Sequence, residues 1–266
     1  MTTIQVPRIF DASRLEQRRR RMAALRNRDC ARFVVEDAVE DVIERLSFVR
    51  YEPARSLILG EYTQTLAPHL RGTFGQGNDD SVVEGDVFDR PGCERIDPEQ
   101  PYPDTGFDFV AVIGLLHAVN DLPGALIHMR NAVRPGGLMI ASFVGGASLP
   151  QLRAAMLAAD GDRPAARIHP LVDPRAAPQL MQRAGWNDPV VDTHTITARY
   201  SAMDRLIHDL REQGLTGVLA DQPPAIGKAG LRRAQNAFSE AADPDGKVAE
   251  SFEIVTLTGR RSLAGT

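Results

Sequence analysis

Residues 107–143, FDFVAVIGLLHAVNDLPGALIHMRNAVRPGGLMIASF, decide how the chain folds. Phe109, Val110, Ala111, Val112 and Ile113 form a short apolar run rich in branched side chains. That composition suits a strand covered on both faces, and so a parallel sheet. Leu122, Leu126, Met129 and Val133 then recur at helical spacing. Arg134-Pro135-Gly136-Gly137 ends this helix, because proline cannot continue it and glycine accepts the left-handed backbone of a C-terminal cap. A second strand over 138–143 follows at once. Two parallel strands joined by a helix make a βαβ unit, whose ligands lie beyond the carboxyl ends of the strands. Residues 114–121 therefore sit at a ligand edge.

Upstream, Arg55-Ser56-Leu57-Ile58-Leu59-Gly60 reads as the first strand, and Glu61-Tyr62-Thr63-Gln64 turns into a helix over 65–70. In nucleotide-binding α/β proteins, glycines in this turn let the backbone approach the ligand and aim a helix N-terminus at it. Only Gly60 is present. Residues 72–80 read as a polar, glycine-rich loop, a strand over 81–85 ends in Asp86, and a second over 93–96 ends in Asp97. The link between those ends is too short for a crossover helix between parallel strands.

The first thirty-two residues hold nine arginines against three acids, concentrated in Arg18-Arg19-Arg20-Arg21 with Arg26, Arg28 and Arg32 following. They predict a folded helix with a solvated basic face. Phe33, Val34, Ala38, Val42, Ile43 and Leu46 mark an amphipathic helix over 29–47 that packs on the sheet or over its ligand edge. Downstream, helices are expected over 149–159, 174–184, 202–213 and 228–241, with strands over 190–200 and 248–258 able to pair antiparallel. The expected architecture is one α/β domain with a seven-stranded, mostly parallel sheet. Residues 1–52 form an N-terminal helical extension and 53–266 the main domain, with a helical insertion at about 146–173.

Composition narrows the function classes. The 266 residues are 43% apolar and 25% charged, with net charge -4 and pI near 5.9, so no basic field recommends nucleic acid. Cys30 and Cys93 make no disulfide framework and no CxxC pair, which points to a reducing, cytoplasmic compartment. No apolar run approaches the roughly 20 residues of a membrane span, and the start of the chain lacks the apolar core of a signal peptide. The six histidines show no ligand spacing, so no metal site is expected.

Five pieces carry a family likeness: His117-Ala118-Val119-Asn120-Asp121-Leu122-Pro123, Arg134-Pro135-Gly136-Gly137-Leu138, Gly145-Gly146-Ala147-Ser148-Leu149, Gln182-Arg183-Ala184-Gly185-Trp186 and Asp245-Gly246-Lys247. Through them, from Ile9 to Gly259, the chain resembles the methyltransferase-like family of the mitochondrial complex I assembly factor 5 and its bacterial relatives. That family is similar to the malonyl-carrier-protein methyltransferase of biotin synthesis. The resemblance implies a Rossmann-like class I methyltransferase fold with S-adenosylmethionine held over the carboxyl ends of strands one to four. It implies that Asp86 holds the ribose hydroxyls, for which a carboxylate is suited as acceptor of two vicinal O–H donors. Asp97 would lie near the adenine amino group, and Leu115, Leu116 and His117 would form the lip against the methionine part. His117 is the candidate catalytic base.

The family's first loop reads roughly Asp-Leu-Gly-Cys-Gly-x-Gly, whereas here it is Leu57-Ile58-Leu59-Gly60-Glu61-Tyr62-Thr63-Gln64. Two glycines are replaced, and Glu61 brings a negative charge to where the cofactor's carboxylate end would sit. Two functional expectations follow. In the first, the chain is an S-adenosylmethionine-dependent methyltransferase of a small-molecule or protein substrate. Gly60 then brings backbone to the ligand, Glu61 points away or meets the ligand's ammonium, and Asp86 reaches the ribose. In the second, the chain is a catalytically degenerate member that works as a binding or assembly factor, its Arg-rich helix contacting an acidic protein partner.

Overall fold

The computed structural model describes residues 8–25, 29–75, 79–168 and 170–263. Arg26 and Arg28 of the basic segment, and Gln76, Gly77 and Asn78 of the glycine-rich loop, lie outside the described residues. Two helices, α1 (Ala12–Leu25) and α2 (Phe33–Phe48), precede the sheet. The chain continues through β1 (Ser56–Leu59), α3 (Leu66–Phe74), β2 (Val82–Asp86), β3 (Glu94–Arg95), β4 (Phe107–Ile113), α4 (Leu122–Ala132) and β5 (Val133–Val144). It ends with α5 (Pro150–Asp160), α6 (Ala177–Arg183), β6 (Trp186–Tyr200), α7 (Met203–Glu212), α8 (Lys228–Glu240) and β7 (Val248–Arg261).

The seven strands lie in the order β3-β2-β1-β4-β5-β7-β6. β1 runs parallel to β2 and β4, and β5 parallel to β4, while β7 is antiparallel to both β5 and β6. This is the expected mostly parallel sheet with a late antiparallel pair. The short link between β2 and β3 is possible because β3 has two residues and pairs only with Gly85 and Asp86, at the carboxyl end of β2. The chain therefore never has to travel back along the sheet, and no helix is needed.

Every residue of β1 and β4 is buried, as a strand covered on both faces requires. The pleat sorts them. Leu57, Leu59, Val110, Val112 and Met139 meet Leu126 and Met129 of α4 and Met181 of α6 on one face. Ile58, Phe109, Ala111, Ile113 and Ile140 meet α2 and α3 on the other. α2 buries Val34, Val35, Ala38, Val39, Val42 and Leu46, so the predicted amphipathic helix is docked on the sheet. The β6–β7 pair continues to Tyr200 and Val248, well past the last β5 partner at Ile254. α5, α7 and α8 pack on this overhang around Leu206, Phe238 and Phe252 and wall one side of the ligand edge.

Several boundaries differ from the sequence reading: α2 begins at Phe33, β6 begins at Trp186 and β7 runs on to Arg261. α3 runs to Phe74 and absorbs Gly72, because Leu66, Ala67 and Leu70 bury one face and carry the helix on. Arg134-Pro135-Gly136-Gly137 belongs to β5 and does not form a left-handed cap. α4 stops at Ala132, where Val133 turns extended, and Val133 already pairs with Phe107 across a register shift.

Candidate functional site

The ligand edge lies where β1, β2 and β4 end. Gly60 leaves β1 with φ +88°, and a Cβ there would stand 2.4 Å from the Ile113 carbonyl, so only glycine lets β1 and β4 end this close together. Asp86 closes β2 and is fully buried. Gly114 follows β4 with φ +63°.

Into this edge α1 inserts Arg19, which is 4% exposed. Its Nε donates to Asp86 Oδ1 at 2.6 Å and its Nη2 to Oδ2 at 3.1 Å. Nη1 donates to the Gly114 carbonyl at 3.1 Å, and Nη2 also donates to the Gly60 carbonyl. One guanidinium thus ties together the ends of β1, β2 and β4. Such a fork matches a carboxylate geometrically, and the two strand-end carbonyls take two of its three remaining donors. Leu15 and Met22, four residues before and three after Arg19 on the same helix face, seat beside it.

Glu61 is also buried, at 2% exposure. Its carboxylate accepts the N–H groups of Gln64 at 2.9 Å and Thr65 at 3.1 Å, a longer one from Leu66, and the Thr63 hydroxyl. It therefore caps α3 from the preceding turn and faces away from the cleft, where a carboxylate is favoured by the helix dipole. Tyr62 is packed among the side chains of α2 and α3, and burial pushes its phenol far above the ordinary value.

The start of α1 is clasped. The Asn120 side-chain oxygen accepts the N–H groups of Ile9 and Phe10, both at 2.8 Å, and Phe10 bridges Leu219 in antiparallel fashion. Asp11 N–H reaches the Val218 carbonyl at 2.8 Å, and Ala220 N–H reaches that of Ile9 at 2.9 Å. Asp97 is exposed and accepts the Glu99 N–H at 2.9 Å, in a shallow cavity shared with Arg8, Arg95 and Asn120. Leu115 and Leu116 are turned into the core beside β4. His117 is 6% exposed and borders two cavities, the cleft under α1 and a second one below α5 and α7.

S-adenosylmethionine needs an acceptor for its ribose hydroxyls and backbone donors for its carboxylate. Asp86 is the right group in the right place, but both its oxygens are engaged by Arg19. The α3 N-terminus is engaged by Glu61. The cavity left beneath α1 is about 30 Å³, room for about one water molecule. With α1 seated, the residues present do not fit the cofactor.

Sequence reasoning brought Gly60, Asp86 and His117 to this edge and missed Arg19, which it assigned to a solvated face. The signal was available: Leu15, Arg19 and Met22 share one helical face, and an arginine between two buried apolar residues is placed to turn inward. Arg20 and Arg21 do remain exposed, Arg20 paired with Glu16 at 2.7 Å. Among the described residues His208, Asp209 and Glu212 come together on α7, but Glu212 already accepts the Ala31 N–H and His208 is exposed. No helix among the described residues is long and apolar enough to cross a membrane.

The chain is similar to proteins that carry different activities in their names. It is 25% identical over 241 residues to malonyl-[acyl-carrier protein] O-methyltransferase 1 of Coxiella burnetii, covering 88% of this chain and 83% of that one. It is 29% identical over 163 residues to the mitochondrial arginine-hydroxylase NDUFAF5 of Homo sapiens, covering 60% of this chain and 47% of that protein. Among solved structures, the [4+2]-cyclase SpnF superposes with a TM-score of 0.52 at 15% identity over 97% of this chain and 99% of that one, a likeness of fold alone. The family described as methyltransferase domain matches residues 16–190, within which lie Arg19, Gly60, Asp86 and His117, and the chain belongs to that family.

Proposed function

We propose that this chain is an S-adenosylmethionine-dependent methyltransferase whose cofactor cleft is held shut by α1. The observation that carries the reading is Asp86: a carboxylate stands at the end of β2, flanked by the Gly60 and Gly114 carbonyls, with Arg19 as its occupant. Displacing Arg19 would free one carboxylate and two backbone carbonyls, the acceptors that ribose hydroxyls and an ammonium use. His117, at the border of the cleft and the neighbouring cavity, is the candidate base. Leu115 and Leu116 support this wall from the core side, and Asp97 stands at the outer end, where the adenine would lie. The relatives carry names for O-methylation of malonyl-[acyl-carrier protein] and for arginine hydroxylation, so the acceptor is not transferred from either. A reducing cytoplasmic compartment agrees with the free thiols of Cys30 and Cys93.

A second reading is favoured by Glu61 and by the clasp on α1. A capped α3, a plugged β2 end and an N-terminal segment fixed by Asn120 also describe a member that has given up the cofactor and serves as a binding or assembly factor. Its exposed Arg20 and Arg21 would then face an acidic partner. Calorimetric titration with S-adenosylhomocysteine separates the two. On the enzyme reading, the Arg19→Met protein binds and the wild type binds at least about tenfold more weakly, while Asp86→Ala abolishes binding. Should neither the wild type nor Arg19→Met bind at millimolar ligand, the enzyme reading is lost and the second stands.

A further inference from the structure

Beside the plugged cleft lies a second cavity of about 140 Å³. Its walls come from α5, α7, β7 and the loops after β5, α5 and α7, and they are mostly hydrocarbon: Leu152, Met156, Leu171, Ile207, Leu210 and Phe252. These side chains belong to the cluster that joins the helices to the β6–β7 overhang. A cavity of this size with a mostly apolar lining accepts a body of about six carbons.

Three polar residues touch the cavity, and they differ in what they offer. Arg167 has the only permanent charge among the lining residues, and that charge is spent. Its Nε and Nη2 hold Asp160 Oδ1, the former at 2.7 Å, and its Nη1 donates to the Pro224 carbonyl at 2.9 Å. The hydrogen bond from Arg167 holds the Asp160 carboxyl below its ordinary pKa, so the pair stays ionised and mutually satisfied. A carboxylate or phosphate entering here would meet no unengaged cation and would lose its hydration. Thr216 is the opposite case. Its hydroxyl is shielded from solvent and has no hydrogen-bond partner among the described residues. A buried hydroxyl left in that state is costly, and a ligand oxygen or hydroxyl placed against it removes the cost. His117 is the third, on the wall shared with the cofactor cleft along with Val144 and Leu215.

We infer that this cavity binds a small, uncharged, largely hydrocarbon molecule with one hydroxyl or carbonyl group, held by the Thr216 hydroxyl. As the site of a methyl acceptor it rests on the methyltransferase reading, because only that reading gives the shared His117 wall a reaction. As a binding site it stands by itself. The apolar lining selects the body of the ligand and the exhausted Arg167 excludes an anionic end.

The experiment uses the full chain without any cofactor and three probes: cyclohexanol, toluene and hexanoate. Cyclohexanol is expected to bind saturably by calorimetry with a dissociation constant of about 1 mM or tighter, and to raise the melting temperature. Toluene is expected to bind more weakly, and hexanoate not at all at the same concentration. Thr216→Val should weaken cyclohexanol about tenfold, leave toluene unchanged, and make the unliganded protein no less stable, since it removes an unsatisfied hydroxyl. Met156→Trp fills the cavity from a partly exposed position on α5 and should abolish binding of both neutral probes. The inference is overturned if cyclohexanol fails to saturate the wild type, if hexanoate binds as well as cyclohexanol, or if Thr216→Val weakens toluene as much as cyclohexanol. It is overturned equally if a folded Met156→Trp protein binds both probes undiminished. Because no cofactor is present, S-adenosylhomocysteine binding to Arg19→Met alongside failure of cyclohexanol would discard this inference and leave the methyltransferase reading intact. The reverse pattern would keep the cavity and discard that reading.

Discussion

Replacing Arg19 by Met tests the closure of the cleft directly, because it removes the guanidinium while keeping most of the stem that packs between Leu15 and Met22. Asp86 is fully buried, and without Arg19 it keeps one other hydrogen bond among the described residues, from the Val87 N–H at 2.8 Å. Breaking a buried ion pair by removing one partner costs about 3–5 kcal/mol, since the remaining charge is uncompensated. The carbonyls of Gly60 and Gly114 lose a donor as well. In a chain of this size each kcal/mol moves the melting point by about 2–4 °C, so a drop of roughly 10 °C is expected. Urea unfolding gives the free energy and calorimetry gives the melting point. Removing both charges, as Arg19→Met with Asp86→Leu, should recover most of the loss, because a packed apolar pair is often neutral against a buried ion pair. Saturating S-adenosylhomocysteine should return about 2.7 kcal/mol to Arg19→Met at a hundredfold excess over its dissociation constant, and much less to the wild type. A loss below about 1 kcal/mol, the value of an exposed pair, would show that Arg19 is not the lock and refute the argument. So would a double variant as unstable as the single one.

Three further outcomes follow from the same geometry. Glu61→Ala should destabilise the chain by about 1–2 kcal/mol in urea, because the α3 backbone N–H groups lose their cap; an unchanged midpoint would place the carboxylate elsewhere. Gly60→Ala should cost about 2 kcal/mol or more, combining a left-handed backbone with a Cβ that meets the Ile113 carbonyl at 2.4 Å, and a fully stable variant would contradict the close approach of β1 and β4. Glu250 is fully buried and caps α5 by accepting the Gln151 and Leu152 N–H groups, with burial raising its pKa from 4.5. The folded state then holds this proton more tightly than the unfolded one, so its contribution falls as pH rises upward from about 4.5 toward the raised value. Unfolding midpoints measured across that window should decline less steeply in Glu250→Gln than in the wild type; equal slopes would mean the carboxyl is not perturbed.

Much of this molecule could be read along the chain because the signals are local. A buried parallel strand needs a run such as Phe109 to Ile113, and the position of Gly60 after β1 is forced by a backbone that no other residue adopts easily. The short strand that closes on Asp86 could be read locally, with the role of that acid implied by the family resemblance, and the alternation in β6 announced a two-sided strand. What the sequence could not decide is which partner each charge meets. Arg19 and Asp86 are distant in the chain, and only the docking of α1 across the sheet end brings them to 2.6 Å. The same holds for Glu61, whose negative charge reads as a threat to a bound anion until α3 is seen to begin where its carboxylate points. The Thr216 hydroxyl likewise becomes significant only when α5, α7 and β7 enclose it. Periodicity reports which side of an element is apolar, whereas desolvation and pairing depend on groups supplied by other elements, and those are fixed by tertiary structure alone.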